Sequence, residues 1–301
     1  MHDLIVVGAG PAGLTAALYA LRADKSVLIL EKGTFGGQVT FSPQIENYPG
    51  YKSMSGNEFA DMLIDQVISQ GAEIEMETVE SITDNGDTKT VFTNCGEHEC
   101  KAVIIATGCK HRQTGLPNEN QLVGNGISYC AVCDGAFYKN KTVAVLGGGN
   151  SALQEAVLLS DTSKKVYVIQ NLDFLTGEKK LVEKLENKDN VEIILGTVIS
   201  ALIGEEELKA LELESVADGS RSQLDVDGLF VAIGLVPNNT MFENVAQLNE
   251  WGYFDTDETC VTKTPGVFIA GDCRSKAIRQ ITTATADGAV AALAACRYID
   301  N

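Results

Sequence analysis

Short apolar runs that break off at glycine recur along the chain and set its architecture. The first is Leu4-Ile5-Val6-Val7, with no polar alternation, the pattern of a strand buried on both faces. It runs into Gly8-Ala9-Gly10-Pro11-Ala12-Gly13 and then into residues 14–21, which predict a helix. A second buried strand over Val27–Leu30 follows and stops at Glu31. The same order returns from Thr142–Leu146: a turn at Gly147-Gly148-Gly149-Asn150-Ser151-Ala152, a helix over residues 153–159, and a strand over Lys165–Ile169. Residues 103–108 and 229–234 are further strand-to-glycine exits, and residues 266–272 form another that ends on Asp272. Residues 85–99 alternate between turn signals and predict a small antiparallel hairpin. An alanine-rich helix is expected over residues 282–299, with Asp287-Gly288 inside it.

Strand, glycine turn, helix, strand and acid together predict a dinucleotide site. Gly8 allows the tight turn and Gly10 lets a pyrophosphate reach the backbone. Gly13 lets the helix close on the sheet, with its N-terminus facing the phosphates. Glu31 falls where a carboxylate accepts hydrogen bonds from a ribose. A glycine-rich packing motif is the plainer reading, but the whole βαβ context favours the nucleotide. The second copy predicts either a second nucleotide domain or a relic of one.

Composition narrows the classes. With 301 residues, 45% hydrophobic, the chain is long enough for two domains with cores. Its net charge of -18 argues against nucleic acid, whose phosphates need a basic surface. No run approaches the ~20 apolar residues of a membrane span, and the first residues lack a signal-peptide pattern, so a cytoplasmic location is expected. Eight cysteines in a reducing compartment do not suggest a disulfide framework. Cys95, Cys100, Cys109, Cys260, Cys273 and Cys296 are scattered and read as ordinary buried or surface residues.

Cys130-Ala131-Val132-Cys133 is the one pair with a chemical spacing, directly before Asp134-Gly135. At a helix start such sulfurs can meet as a disulfide, and the helix dipole favours a thiolate. Asp134 is a candidate acid that would protonate a leaving thiolate. Half a zinc site is the competitor, but no second C-x2-C or H-x3-5-H supplies the other ligands, so no metal is expected.

The chain resembles the low-molecular-weight thioredoxin reductases over essentially its whole length. The residues that carry the likeness are Gly8 to Gly13, Gly36-Gly37-Gln38, Glu46-Asn47-Tyr48-Pro49-Gly50 and Ala106-Thr107-Gly108. They continue with the cysteine segment from Ser128 to Gly135, the second glycine turn, Ala232-Ile233-Gly234 with Pro237-Asn238, Ala270-Gly271-Asp272, and Arg279-Gln280. The resemblance implies the α/β class, with two Rossmann-like three-layer nucleotide-binding domains, the second inserted in the first. The FAD-binding domain would be 1–112 with 242–301, and the pyridine-nucleotide-like domain carrying the C-x-x-C would be 113–241. FAD contacts are then expected at Gly8, Gly10, Ala12, Gly13, Glu31, Gly37, Gln38, Asn47, Gly108, Asp272, Arg279 and Gln280. The catalytic set would be Cys130, Cys133 and Asp134, with Cys133 facing the flavin and Cys130 attacking thioredoxin. A homodimer and a rotation between domains are also implied.

One stretch departs from the family. Its NADPH-using members carry a His-Arg-Arg run, with a further arginine, at the end of the second domain's second strand, where guanidinium forks hold the 2′-phosphate. Here that stretch is Gln170-Asn171-Leu172-Asp173-Phe174-Leu175-Thr176, with no basic residue. Lys164, Lys165 or Lys179 would have to reach the phosphate from elsewhere. The pattern is similar to the ferredoxin-dependent flavin thioredoxin reductases, so ferredoxin is the expected donor, docking at a patch such as Lys52, Lys110, His111 and Arg112, or Lys276 and Arg279. An NADPH-dependent thioredoxin reductase with an atypical phosphate site is the first alternative. A small-molecule dithiol oxidase and a non-catalytic redox sensor are more distant ones.

Overall fold

A computed structural model describes residues 1–41, 45, 47–129 and 131–301, with the side chains of Phe41, Val132 and Cys133 excepted. The chain divides into two compact units, Met1–Lys110 with Val236–Asn301, and His111–Leu235. The divisions fall at 110/111 and 235/236 rather than at 112/113 and 241/242. β7 (Cys109–His111) and β16 (Leu235–Pro237) carry the chain across and pair as a two-stranded ladder. Asn239 already belongs to the first unit, where its Nδ2 donates to the carbonyls of Gly252 and Cys273, and Phe242 is buried in that unit's core.

The first unit is built on a seven-stranded sheet of β1 (His2–Val7), β2 (Val27–Leu30), β3 (Glu73–Glu75), β4 (Val79–Asp84), β5 (Lys89–Thr93), β6 (Gly96–Ile105) and β17 (Val267–Ile269). Its order is β3-β2-β1-β6-β5-β4, with β17 also on β6. β6 is long enough to serve two partners in succession. Its first half pairs antiparallel with β5, and residues 103–105 pair parallel with β17. The strand period of two sorts the side chains. Leu4 and Val6 face the cluster covered by α1 (Pro11–Arg22), α2 (Gly56–Ser69) and α7 (Ile281–Asp300), whereas Ile5 and Val7 join Ile82, Val91, Phe242 and Phe254 on the other side. α1 and α7 approach closely because Gly288 lies against the Ala12 carbonyl, where a Cβ would come to 2.2 Å.

The second unit has an all-parallel sheet ordered β11-β10-β9-β15-β8, from β8 (Ile127–Ser128), β9 (Thr142–Leu146), β10 (Lys165–Ile169), β11 (Val191–Ile194) and β15 (Gly228–Val231). Val143, Val145, Val166 and Val168 pack with the side chains of α5 (Asn150–Ser160) and α6 (Lys179–Glu186). Ala144, Ile169, Leu229 and Val231 face an antiparallel meander of β12 (Thr197–Ile203), β13 (Ala210–Ser215) and β14 (Arg221–Asp225). Helices, parallel sheet and meander make three layers. Two single-turn helices, α3 (Glu119–Leu122) and α4 (Ala131–Asp134), precede β9. Among the described residues no helix is long and apolar enough to cross a membrane.

Candidate active site

In the first unit the glycine turn is held open by backbone geometry. Gly8 has φ +107°, and a Cβ there would meet the Ala106 carbonyl at 2.5 Å. A Cβ on Gly13 would lie 1.9 Å from the Gly8 carbonyl, whereas one on Gly10 would meet nothing within 4 Å. The turn is thus packed from beneath and clear where an incoming phosphate would approach. Gly10 caps α1 without a side-chain hydrogen bond, and Pro11 at the first position costs no donor, so the helix end offers its free N–H groups. Gly37 closes beside it, 3.3 Å from the Gly10 Cα by the same measure. Gly108, at φ +62°, sits in open space two residues beyond Ala106.

Glu31 leaves β2 and folds back over the turn. Its Oε2 accepts the Ala9 N–H at 2.9 Å and its Oε1 the Gly33 N–H at 2.8 Å. Asp272 follows Gly271, whose Cβ would press on Ala12 at 2.8 Å. Its Oδ1 is enclosed and has no hydrogen-bond partner among the described residues. Burial pushes its carboxyl up, against the pull of Lys276 and Arg279. The Asp272 carbonyl accepts from Arg279 Nε at 3.3 Å and Cys109 Sγ at 3.0 Å. Arg279 also lies over the Tyr253 ring at 4.1 Å. At the start of α7, Gln280 Oε1 accepts from Asn47 Nδ2 at 3.1 Å, joining two segments far apart in sequence. Gln38 is exposed in the turn Gly37–Phe41.

Beneath Asp272 lies a buried ionic cluster that sequence reading missed. Asp287 accepts from Gly271 N–H at 3.0 Å, Arg274 Nε at 2.8 Å, Arg274 Nη2 at 2.9 Å and Lys276 Nζ at 2.7 Å. Burial works to raise its pKa, but the hydrogen bonds from Arg274 and Lys276 hold it below the usual carboxylate range. The cluster fixes the bend at Gly271 that presents Asp272. It also removes Lys276 from any docking patch, because that side chain is only 5% exposed. An acid followed by glycine inside an otherwise apolar helix was the one sequence signal.

The second turn repeats the backbone and changes the chemistry. Gly147 has φ +132° and presses on the Ala232 carbonyl as Gly8 does on Ala106. The loop after β10 folds onto it, with Thr176 and Gly177 N–H donating to the Gly148 carbonyl at 2.8 and 2.9 Å. Asn150 Oδ1 accepts the Glu178 N–H at 2.7 Å. Gln170 takes the place of Glu31: it is buried, fills the space over Gly148 and donates to the Phe174 carbonyl at 3.4 Å. Of the lysines proposed for this end, Lys164 is exposed. Lys165 pairs with Glu192 at 3.0 Å, and Lys179, 90% exposed, lies 3.8 Å from Glu183 on its own helix.

Cys130 lies outside the described residues, as does the Cys133 side chain. The backbone of Cys133 is in α4, and Asp134, half-buried, is the last residue of that helix. The approach to the pair is firmly tied. Tyr129 donates to Glu119 Oε1 at 2.8 Å, and Glu119 also accepts from Thr114 N–H and Oγ1 and from Gly115 N–H, all at 2.9 Å. Burial and the Glu119 carboxylate push the Tyr129 hydroxyl up to about 12. Of the scattered cysteines, Cys95 is exposed and the other five are buried. Among the described residues no His, Cys, Asp and Glu cluster could hold a metal ion.

Two turns of the dinucleotide-binding type, one in each unit, define a protein of the two-domain nucleotide-binding oxidoreductase fold, the second domain inserted in the first. The chain belongs to the pyridine nucleotide-disulphide oxidoreductase family, which matches residues 2–288. It is 40% identical to a thioredoxin reductase of Listeria innocua, covering all of this chain and 95% of that protein. A solved thioredoxin reductase of Lactococcus lactis, 35% identical, covers all of this chain and 99% of that one with a TM-score of 0.96. A ferredoxin-flavin thioredoxin reductase of Clostridium acetobutylicum is 28% identical, with a TM-score of 0.55, over 99% of this chain and 97% of that one. FAD is the cofactor of this family. The first unit fits it: Gly10 is clear for a pyrophosphate, Glu31 is pinned for a ribose, and the unpartnered Asp272 Oδ1 suits a hydroxyl-bearing chain.

Proposed function

We propose that the chain is a thioredoxin reductase that takes electrons from a reduced pyridine nucleotide and passes them to the Cys130/Cys133 pair. The observation that carries the reading is position. The C-x-x-C ends in α4, which packs on α5, the helix that leaves the second dinucleotide-type turn. The end-to-end likeness to proteins named thioredoxin reductase supports the activity. The pyridine nucleotide in the family's description supports the nicotinamide donor over the ferredoxin expected from the sequence. So does the closer match to the Lactococcus lactis reductase than to the ferredoxin-flavin one.

Bound FAD would supply a two-electron carrier between the donor and the disulfide. Gly8, Gly10, Ala12, Gly13 and Gly37 shape the turn that admits its pyrophosphate. Glu31 and Asp272 would accept from its hydroxyls, and Asn47, Gly108, Arg279 and Gln280 would line the same site, with Gln38 at its exposed edge. Opening the pair consumes two electrons and two protons, and Asp134 protonates the sulfur that leaves as thiolate. The Cys130 thiolate then attacks thioredoxin's disulfide, and Cys133 displaces reduced thioredoxin as the Cys130–Cys133 bond re-forms. A homodimer and a cytoplasmic setting belong to the same proposal.

A second reading is kept for one observation. The segment from Gln170 to Glu178 holds no basic residue to grip a 2′-phosphate, which favours a donor that is not NADPH. Anaerobic mixing with NADPH, NADH and reduced ferredoxin in turn, followed by the flavin absorbance, separates the two. Rapid bleaching by either nicotinamide with thioredoxin turnover is the expected result. Bleaching by ferredoxin alone would replace the donor and keep the dithiol.

A further inference from the structure

Glu155, half-buried but with its carboxyl oxygen Oε2 enclosed, is a titratable group that none of the steps above employs. It projects from α5 and accepts the backbone N–H of Ala131. That N–H belongs to the peptide bond joining Cys130 to Ala131, so the carboxyl is anchored to the first link of the C-x-x-C itself. Its Oε2 is sealed from solvent and has no hydrogen-bond partner among the described residues. An enclosed carboxylate oxygen without a donor is costly, and a polar group is kept in such a place only where something compensates. The surroundings are apolar and tight. Ala131, Ala152, Ala156 and Leu159 are buried where α4 packs on α5. A Cβ on Gly135 would come within 3.3 Å of Leu159.

We propose that Glu155 is a positioning residue for the Cys130/Cys133 pair: it fixes the first turn of α4 through Ala131 and sets the thiols' acidity by its own charge. The inference rests on the reading of that pair as the redox-active dithiol. Burial pushes the Glu155 carboxyl up to about 8, opposed by the Ala131 hydrogen bond. The other titratable groups on elements packed against α5 are Asp134 on α4, Tyr138 in the turn after it, Lys165 and Tyr167 on β10, and Lys179, Lys180, Glu183, Lys184 and Glu186 on α6; β9 has none. The Glu155 shift comes from burial, opposed by the hydrogen bond from Ala131. Well below pH 8 Glu155 is neutral and leaves a neighbouring thiolate unopposed. Above it, an enclosed anion at the Cys130–Ala131 peptide resists formation of a second negative charge. The pair and Glu155 therefore titrate as one coupled system.

The test uses the full-length flavoprotein, reduced and desalted anaerobically, then alkylated with iodoacetamide between pH 6 and 10 while Cys130 and Cys133 are followed separately by mass spectrometry. Glu155→Gln keeps an acceptor for the Ala131 N–H and cannot ionise. It should match the wild type within about twofold at pH 6.5 and react roughly threefold faster at pH 9, the ratio of thiolate that a one-unit rise from an ordinary thiol pKa of about 8.5 gives there. The wild-type profile should show two steps and the variant one. Superimposable profiles would overturn the proposal. If the variant does not fold, the infrared band of a protonated carboxyl in the wild type serves instead. It should titrate near pH 8 and shift between the oxidised and reduced protein, and a band that ignores the redox state would overturn the idea equally. Failure of the underlying reading looks different: the wild-type pair would then form no reversible disulfide at all.

Discussion

The two glycine turns share a backbone and differ in what the following strand delivers to them. After β2, Glu31 brings a carboxylate back to the Ala9 N–H. After β10, Gln170 lays a neutral amide over Gly148 and bonds to its own loop. The first turn is charged, pinned and clear above Gly10; the second is neutral and folded under residues 171–178. Position 13 and its counterpart differ as well. Gly13 has its Cα so near the Gly8 carbonyl that no side chain fits, whereas Ala152 fits under Gly147 with its Cβ 3.1 Å from where a Cβ on Gly147 would lie. On the proposed function, the first turn, charged and clear, would hold the resident FAD, and the second, neutral and covered, would receive the donor.

The harshest way to break the comparison is to give the first turn the residue of the second. Gly13→Ala places a methyl 1.9 Å from the Gly8 carbonyl and 3.2 Å from Val6, with backbone as the obstacle. We expect a loss of about 3 kcal/mol and a preparation that purifies largely without flavin. Thermal unfolding and the ratio of flavin to protein absorbance measure both. A fully loaded variant of wild-type stability would mean the turns are interchangeable.

The converse change gives the second turn the charge it lacks. Asn171→Arg with Thr176→Arg places two exposed guanidinium groups on the loop that folds over Gly148. With charge-assisted contacts of ~1.5–3 kcal/mol each, partly screened, KM for NADPH should fall by roughly a hundredfold relative to NADH. The gain should fade in high salt. An unchanged ratio would indicate that no adenosine phosphate comes near this loop.

A milder change tests whether charge matters at the first turn. Glu31→Gln can satisfy one of the Ala9 and Gly33 N–H groups but turns its own donors toward the other. FAD should be held about tenfold more weakly, as a dialysis or thermal-release assay would read, with the fold intact. Equal retention would remove Glu31 from the cofactor site.

How much of this contrast lay open in the sequence depends on how local each cause is. The strands Val27–Leu30, Thr142–Leu146 and Lys165–Ile169 were legible because an unbroken apolar run between turn residues has one comfortable place, inside a parallel sheet. The helices begin earlier than hydrophobic periodicity alone suggests, at Pro11 and Asn150, because their first turns are made of the glycine motif itself. The meander β12–β14 was not foreseen; its strands are half-exposed and short, and only packing on Ala144, Leu229 and Val231 makes them a layer. The missing cations at residues 170–176 were read directly. The donor drawn from their absence was less secure, since a strand end reports what is lacking there and not what binds instead. The partners of Asp287 and of Glu155 were illegible for a common reason: each carboxyl meets groups that only folding brings near.

The smallest effect concerns how each first strand is started. Asp3 accepts the Ser26 N–H at 3.0 Å and pairs with Lys101 at 2.8 Å, while in the second unit Asp227 accepts the Thr142 N–H at 2.8 Å. Both acids tie the strand beneath a glycine turn to its neighbour, so the two starts look alike where the two turns do not. The Lys101 and Ser26 hydrogen bonds lower the Asp3 pKa from 3.8 to about 2. A folded-state pKa below the unfolded one favours the ionised form. The stabilisation is therefore complete above pH 3.8, declines as the pH falls, and is gone below about 2. Asp3→Asn should cost about 1 kcal/mol at pH 7, a figure reduced by solvent screening, and almost nothing at pH 2. Denaturant unfolding of the two proteins at both pH values measures the difference. A penalty that persists at pH 2 would show that Asp3 matters for its hydrogen-bond geometry and not for its charge, and the likeness to Asp227 would then be one of shape alone.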